Sequence, residues 1–399
     1  MARRRTPRRP SRPSPAPRVE AASRSSALTA RRVGFAFAAV LALVAIFLAT
    51  RPEGIDAVRR RAEAASARKD WGEALTLWRR VNASPSATAA TRLEEGRACL
   101  ALGRAAQGEA ALREATAADP KLAKAWALRL EILRVEDRWF DASAVGWEAF
   151  EAVAPEDRAA VLRELTLAAI SDLPDDLARD ALKKWIAADP EDVEAEAALQ
   201  RRIGADPRSD DPDRPTRLAR LEELVARHSG SPSAREALAT LLADGGDVER
   251  GREVLDAWPE PARDGRYDRL VGRWKLEYDA RPEEAVGPLA RAIEAAPHDW
   301  RTHYRLARAL TILGRREEAA KEAKATARIR EALDPMTLGP ALEDAFAKVD
   351  RPSARATIAD ACARVGLDRL ARAWRELPAA PPAPAQTSTG AAGTSRPMP

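Results

Sequence analysis

Aromatic residues are scarce in this 399-residue chain; Phe, Trp and Tyr together make up 5% of it. Strand formers are thin throughout, which argues against a large sheet. Cysteine occurs twice, at Cys99 and Cys362, far apart in sequence. That excludes a disulfide framework and reads as two small buried hydrophobes. The three histidines, His228, His298 and His303, have no metal-ligand spacing. Asparagine occurs once, at Asn82, in a glycosylation-like triplet that Pro85 follows and that reads as chance. The chain also has no GxGxxG, no Walker loop, no GxSxG and no HExxH. No cofactor, no metal site, no small-molecule substrate and no catalytic residue is indicated, and the chain is not expected to be an enzyme.

Apolar residues make up 45% of the chain, many of them Ala. Ala favours helix and close packing but buries little area per residue. Such a composition suits many thin helices better than one thick core.

The net charge of +5 hides an asymmetry. Residues 1–32 hold ten Arg and one acid, Glu20, for a net of +9, which leaves −4 for the other 367 residues. The body therefore has no positive excess with which to bind nucleic acid. The 1–32 segment, dense in Arg and Pro, is expected to be a disordered tail.

The next segment, VGFAFAAVLALVAIFLAT at 33–50, is uncharged over 18 positions. As a helix it would extend roughly 27 Å at 1.5 Å per residue, close to the hydrocarbon thickness of a bilayer. It ends in Phe47-Leu48-Ala49-Thr50, without the small-x-small pair of a cleaved signal peptide. An uncleaved transmembrane helix is expected. Ten Arg precede it, against six basic groups in residues 51–70. The positive-inside rule then puts the tail in the cytoplasm and the body outside, facing the periplasm if the cell is Gram-negative.

Small residues in the body recur at intervals of 34. Ala74, Gly108 and Ala142 form one run in phase, and Gly251, Ala285 and Ala319 form another. Ala178 lies 36 beyond Ala142. Large residues keep step four positions later, at Trp78, Leu112, Leu182, Leu255 and Leu289. Gly103, Gly246 and Gly314 sit five before the small residue, and Pro120, Pro190 and Pro297 twelve after it. A second set of small residues, Ala62, Gly96, Ala239 and Ala307, lies twelve before it.

This pattern resembles the tetratricopeptide repeat. The resemblance covers roughly 55–330 and implies an all-α solenoid of antiparallel helix pairs. Small residues would let backbones approach, glycine would make the turn and proline would end the second helix. Such pairs cannot bury their own apolar faces and must stack.

The expected order is a first array at 55–203, a polar Pro-rich linker at 204–216, a second array with capping helices at 217–376, and a disordered tail at 377–399. Leu130, Thr166 and Arg273 break the small-residue rule, each standing where a small residue is expected. Trp78, Trp126, Trp185 and Trp258 are expected in the core, and Trp300 at the surface.

The resemblance also implies that each first helix lines a concave groove. In the second array this puts Tyr267, Arg273, Arg301, Tyr304 and Arg308 on that face, a set suited to an acidic peptide. The functional expectation is a membrane-anchored scaffold for a protein or peptide partner, in envelope assembly, secretion or quality control. The other reading is an accessory subunit whose catalysis lies on another chain.

Overall fold

The structure is a computed structural model. It describes residues 54–170, 175–204 and 213–378. The 33–50 segment and most of the two expected tails lie outside these residues. The chain divides into Met1–Ala57, of which only residues 54–57 are described, and Val58–Pro399. All regular structure among the described residues is helical, and no described helix is long and apolar enough to cross a membrane.

Helices α1 (Ile55–Ala67) and α2 (Trp71–Asn82) are followed by α3 (Ala89–Ala101) and α4 (Ala105–Ala118), then α5 (Ala123–Val135) and α6 (Trp139–Ala152). Next come α7 (Arg158–Ile170), α8 (Asp175–Ala188), α9 (Val193–Gly204) and α10 (Arg214–Arg227). The second half holds α11 (Pro232–Asp244) and α12 (Val248–Asp256), α13 (Gly265–Glu277) and α14 (Pro282–Ala295), and α15 (Trp300–Ile312) and α16 (Arg316–Ala332). It ends in α17 (Pro335–Ala347), α18 (Pro352–Arg364) and α19 (Asp368–Glu376).

The 34-residue interval is realised in the backbone. Lys69, Gly103 and Asp137 are left-handed, with φ of 61°, 79° and 52°, and they lie 34 apart. Gly246, Ala280 and Gly314, at 82°, 53° and 74°, repeat the spacing. Each ends the first helix of a pair and reverses the chain. Glycine adopts this conformation freely, whereas a Cβ costs roughly 1–2 kcal/mol there.

The small residues then do what their size allows. Ala74, Ala142, Ala178, Ala285 and Ala319 are all buried. Gly251 is buried under Trp274, and a Cβ on Gly96 would lie 2.7 Å from Leu112. On Gly108 it would lie 3.2 Å from Leu100, so backbone and side chain there are already in close contact. Trp78, Leu112, Leu182, Leu255 and Leu289 fill the adjoining space and are buried. Trp126, Trp185 and Trp258 are core residues as expected, and so are both cysteines, each a free thiol. Burial raises both thiol pKa values, that of Cys362 to about 12, so neither is a reactive thiolate.

Neighbours change at a different place from the one the composition suggests. Helix α7 packs on α5, α6 and the terminal α19. Helix α8, just beyond 171–174, packs on α9 and α5, and its Leu182 and Trp185 share a cluster with Leu93 and Leu112 of the early pairs. The polar 204–216 stretch, by contrast, connects α9 and α10, and both of these pack on α11. Polar composition marks a long connection. It does not mark where stacking is interrupted.

The second half folds back onto the first. Trp374 of α19 is fully buried, and its Nε1 donates to Thr166 Oγ1 at 2.9 Å, across 208 residues. Thr166 in turn donates to Leu162 O at 2.7 Å. Leu162, Leu165 and Ile170 of α7 join Ile329, Leu342, Ile358 and Leu370 in one apolar cluster. At the start of α6, Trp139 Nε1 donates to Ala295 O at 3.1 Å. Phe140 lies against Gly265, leaving no room for a Cβ.

A bidentate ion pair holds the same seam. Arg266 Nη1 and Nη2 donate to Asp141 Oδ2 and Oδ1, each at 3.2 Å. Leu377 and Pro378 are also held, since Arg355 Nη1 donates to both carbonyls at 3.1 and 2.6 Å. These are the first two residues of the expected 377–399 tail, and the rest of it lies outside the described residues.

Two sets of variants test this account by thermal unfolding. Gly314→Ala places its Cβ in open space, so it should cost only the backbone strain, about 1 kcal/mol. Gly103→Ala should cost more, because its Cβ would meet Ala188 Cβ and Lys184 O at 3.3 Å. Ala280→Gly should not destabilise. Equal effects at all three positions would show that the left-handed turn does not set the repeat.

Trp374→Phe and Thr166→Val should each destabilise by about 1–3 kcal/mol through an unpaired buried group. The double variant should fall short of their sum, because the two residues are partners. Strict additivity would mean that α19 does not dock on α7.

Candidate functional site

The residues assigned to a groove are distributed unevenly. Tyr267 is half-buried and packs edge-on against Trp258, with ring centroids 5.6 Å apart. Arg273 is occupied within the fold: its Nη2 donates to Asp244 Oδ1 and its Nε to Glu277 Oε2, both at 2.9 Å. Arg305 holds the same Glu277 from α15 at 2.8 Å. Arg273 is thus a bridge between neighbouring pairs, which explains why a large side chain stands at a small-residue position.

Arg301, Tyr304 and Arg308 remain exposed on α15. Their spacing of three and four residues puts them on one face of the helix. Asp299 caps that helix, accepting from the amides of Arg301 and Thr302 at 3.0 and 3.4 Å. Ile312, 59% exposed, extends the strip by one turn. Neither Arg301 nor Arg308 has a carboxylate partner among the described residues. The strip therefore offers two guanidinium groups without carboxylate partners, that of Arg301 lying 4.7 Å from the centre of the Trp300 ring, together with a Tyr and an apolar end. Such a surface suits an acidic segment with an apolar residue beside it.

Closure of the array creates a second feature, which repeat positions do not reveal. A cavity of about 920 Å³ lies where α5, α6, α7, α9, α11, α13, α15 and α17 meet. Seven arginines line it (Arg134, Arg163, Arg201, Arg202, Arg266, Arg269 and Arg301) against four acids, Asp137, Glu236, Asp299 and Glu343. Arg301 is the only residue of the expected groove set on this lining. Trp300 lines it as well and is half-buried, not a surface residue.

Part of this charge is settled internally. Arg269 Nη1 pairs with Asp299 Oδ2 at 3.4 Å, and its Nη2 pairs with Glu236. Arg201 Nη2 donates to Glu136 O at 2.8 Å. Burial alone would raise the Asp299 pKa, but Arg269 and the Thr302 donors outweigh it and hold the carboxyl at about 2. Glu236 is likewise held below the usual carboxylate range: burial opposes ionisation, but Arg269 and Arg201 outweigh it.

His298 contacts Trp139 edge-on, with ring centroids 4.6 Å apart. Burial lowers its pKa to about 4, so the ring is neutral at pH 7. Its Nδ1 is buried without a hydrogen-bond partner, and so is Arg134 Nε on the same lining. The cavity was not legible in the sequence because its walls come from segments up to 213 residues apart, from Arg134 to Ala347. Among the described residues, no group of three or more His, Cys, Asp or Glu is placed to hold a metal ion.

The architecture is that of an α-solenoid of helix pairs that closes on itself. No protein-family model matches the chain, and no curated protein matches it in sequence. Solved structures similar to it include a tetratricopeptide repeat protein from Parabacteroides merdae, with 12% identity over 64% of this chain and 98% of that one, TM-score 0.30. Human IFIT1 is another, as a dimer with PPP-AAAA (13% identity, 66% of this chain and 69% of that one, TM-score 0.30). A dimer of the same protein with m7Gppp-AAAA gives 14% identity, 70% and 73% coverage and TM-score 0.27. Overlap of this degree bears on neither partner nor activity.

The histidine gives a pH test. An unfolded His binds its proton near pH 6.5, and the folded ring does so only near 4. The folded state therefore has its full advantage above about pH 6.5 and loses it as pH falls toward 4. His298→Phe removes this dependence, so the gap in thermal midpoint between parent and variant should change across that window. A constant gap would show that the ring is freely protonated in the fold.

Proposed function

We propose that the chain is a non-enzymatic, membrane-anchored scaffold whose solenoid lies outside the cytoplasm and holds an acidic segment of a partner protein. The anchor is the uncharged 33–50 segment, and its orientation follows from the ten arginines before it. The observation that carries the partner chemistry is the strip Arg301, Tyr304 and Arg308, exposed on one helix face and without carboxylate partners among the described residues. Arg273, neutralised within the fold, is not part of this surface. Stacked helix pairs suit such a role because they present long surfaces on a rigid frame. Envelope assembly, secretion and protein quality control are the processes in which such a scaffold would serve.

Two measurements test it. A reporter active only outside the cytoplasm, fused after residue 330, should be active, and the chain should stay with membranes through a carbonate wash. Release of a shortened soluble form would overturn the anchor. A partner crosslinked to the chain in membranes should be lost with Tyr304→Ala and Arg308→Glu together, without loss of folding, because exposed substitutions move stability by about 0.5 kcal/mol or less. Retention of the same partner would place its docking site elsewhere.

A further inference from the structure

We propose that the central cavity binds one amphiphilic organic anion, with its carboxylate or phosphate at Arg134 and Arg163 and its hydrocarbon part against the α17 wall. Size, charge and unmet hydrogen bonding support this independently of the partner strip. A volume of about 920 Å³ is within the range of sites that enclose drug-sized molecules. It is a cleft open to solvent and not a sealed void, since Asp137, Arg163, Arg301 and Glu343 on its lining are exposed, so a ligand has a way in.

The lining is divided in chemistry. Leu333, Leu338, Leu342 and Phe346 belong to or pack on the closing apolar cluster and also face the cavity. The arginines come from other helices of the lining, α5, α7, α9, α13 and α15. Arg266 and Arg269 are held by Asp141, Asp264, Glu236 and Asp299, so they stiffen the wall and are not free to take a ligand.

Arg134 and Arg163 differ from these, since neither has a carboxylate partner within salt-bridge distance among the described residues. The Arg163 guanidinium lies 5.6 Å from the centre of the Phe346 ring, which brings a positive charge to the edge of the apolar wall. Arg134 Nε and His298 Nδ1 are buried and unpaired on the same lining. Unmet buried polar atoms are rare in native proteins, and two on one cavity wall point to a missing occupant.

Three acids qualify the charge. Burial raises the Glu164 pKa, but Arg134 and Arg163 both act on its carboxyl and so share part of their charge with it. Asp137 and Glu343 have no ion-pair partner among the described residues, and Arg201 and Arg202 act on Asp137 and partly offset its charge. The faces of Phe140 and Phe346 are already covered by Arg266, Arg269 and Arg163. The cavity therefore favours a flexible hydrocarbon over a flat ring that would need a free aromatic face.

The probe is cis-parinarate, a fluorescent fatty carboxylate with a linear hydrocarbon chain, added to the purified full-length chain in detergent-free buffer after reconstitution. One molecule per chain should bind, and decanoate and decyl phosphate should displace it. Inorganic phosphate, which has the head alone, and decanol, which has the tail alone, should each compete at least about tenfold less well, a difference of about 1.4 kcal/mol. Superiority of decanoate would indicate a free fatty acid, and superiority of decyl phosphate a phosphate-headed lipid; either supports the site.

Arg134→Gln with Arg163→Gln should weaken decanoate by about tenfold or more, while Arg316→Gln, at an exposed residue outside both the cavity lining and the strip, should leave it unchanged. If the double variant fails to fold by circular dichroism, Arg163→Gln alone, at an exposed side chain, gives the same reading. Displacement by decanol as strong as by decanoate, equal competition by inorganic phosphate, or undiminished binding in the arginine variants would each overturn the proposal.

Discussion

The left-handed residue between the two helices of a pair is the constraint from which the rest of the architecture follows. It reverses the chain within about three residues, so the second helix must run back along the first. Two antiparallel helices of 12 to 14 residues, such as α3 and α4, meet closely only if small side chains stand at their crossing. That is why Gly96 and Gly108 face each other, with a Cβ on either lying 3.4 Å from the other's carbonyl oxygen. Glycine supplies the turn at Gly103, Gly246 and Gly314, but Lys69, Asp137 and Ala280 adopt the same conformation with a Cβ. Packing on both sides therefore holds the turn strongly enough to carry strain at half of these sites.

Closure adds a second level of order. A simple solenoid has contacts only between neighbours, and its ends are independent. Here Thr166 is linked to Trp374, and Asp141 to Arg266, across 208 and 125 residues. These pairs convert a nearest-neighbour array into a structure whose late helices stabilise its middle. They also enclose charged surface that an open array would leave in water. Glu236 and Asp299 stay ionised there because Arg269 reaches both, so the interior charge is mutually compensated.

Much of the pair architecture was legible in the sequence, because a 34-residue spacing of small, large, glycine and proline positions has one physical solution. The departures from that spacing carried the rest, although their meaning was not visible. Thr166 stands where a small residue is expected because it receives the Trp374 indole, and Arg273 because it bridges Asp244 and Glu277. Long-range partners of this kind leave no periodic trace. The polar 204–216 stretch shows how little composition says of packing, because the helices on either side of it both pack on α11. Of the expected groove set, Arg301, Tyr304 and Arg308 share one exposed helix face, which their spacing of three and four residues already implied. The cavity was not, because seven arginines spread along the chain read as ordinary solvated charges until closure gathers them.

The distribution of arginine partners finally separates structural from available charge. An arginine whose guanidinium is met by carboxylates, as in Arg138 with Glu109, Glu136 and Asp141, has its charge consumed by the fold. Burial would raise the Glu109 pKa, but Arg138 outweighs it and keeps the carboxylate ionised, so removing either partner would strand a buried charge. Arginines without such partners add no comparable ion pair to the folded state, yet their long side chains carry the cost of being held in place. Among the described residues, Arg134, Arg163, Arg301 and Arg308 are of this second kind, Arg134 and Arg163 lining the cavity, Arg308 on the outer strip, and Arg301 on both. That division leaves, as the charge not consumed by the fold, the arginines on which the two proposed surfaces rest.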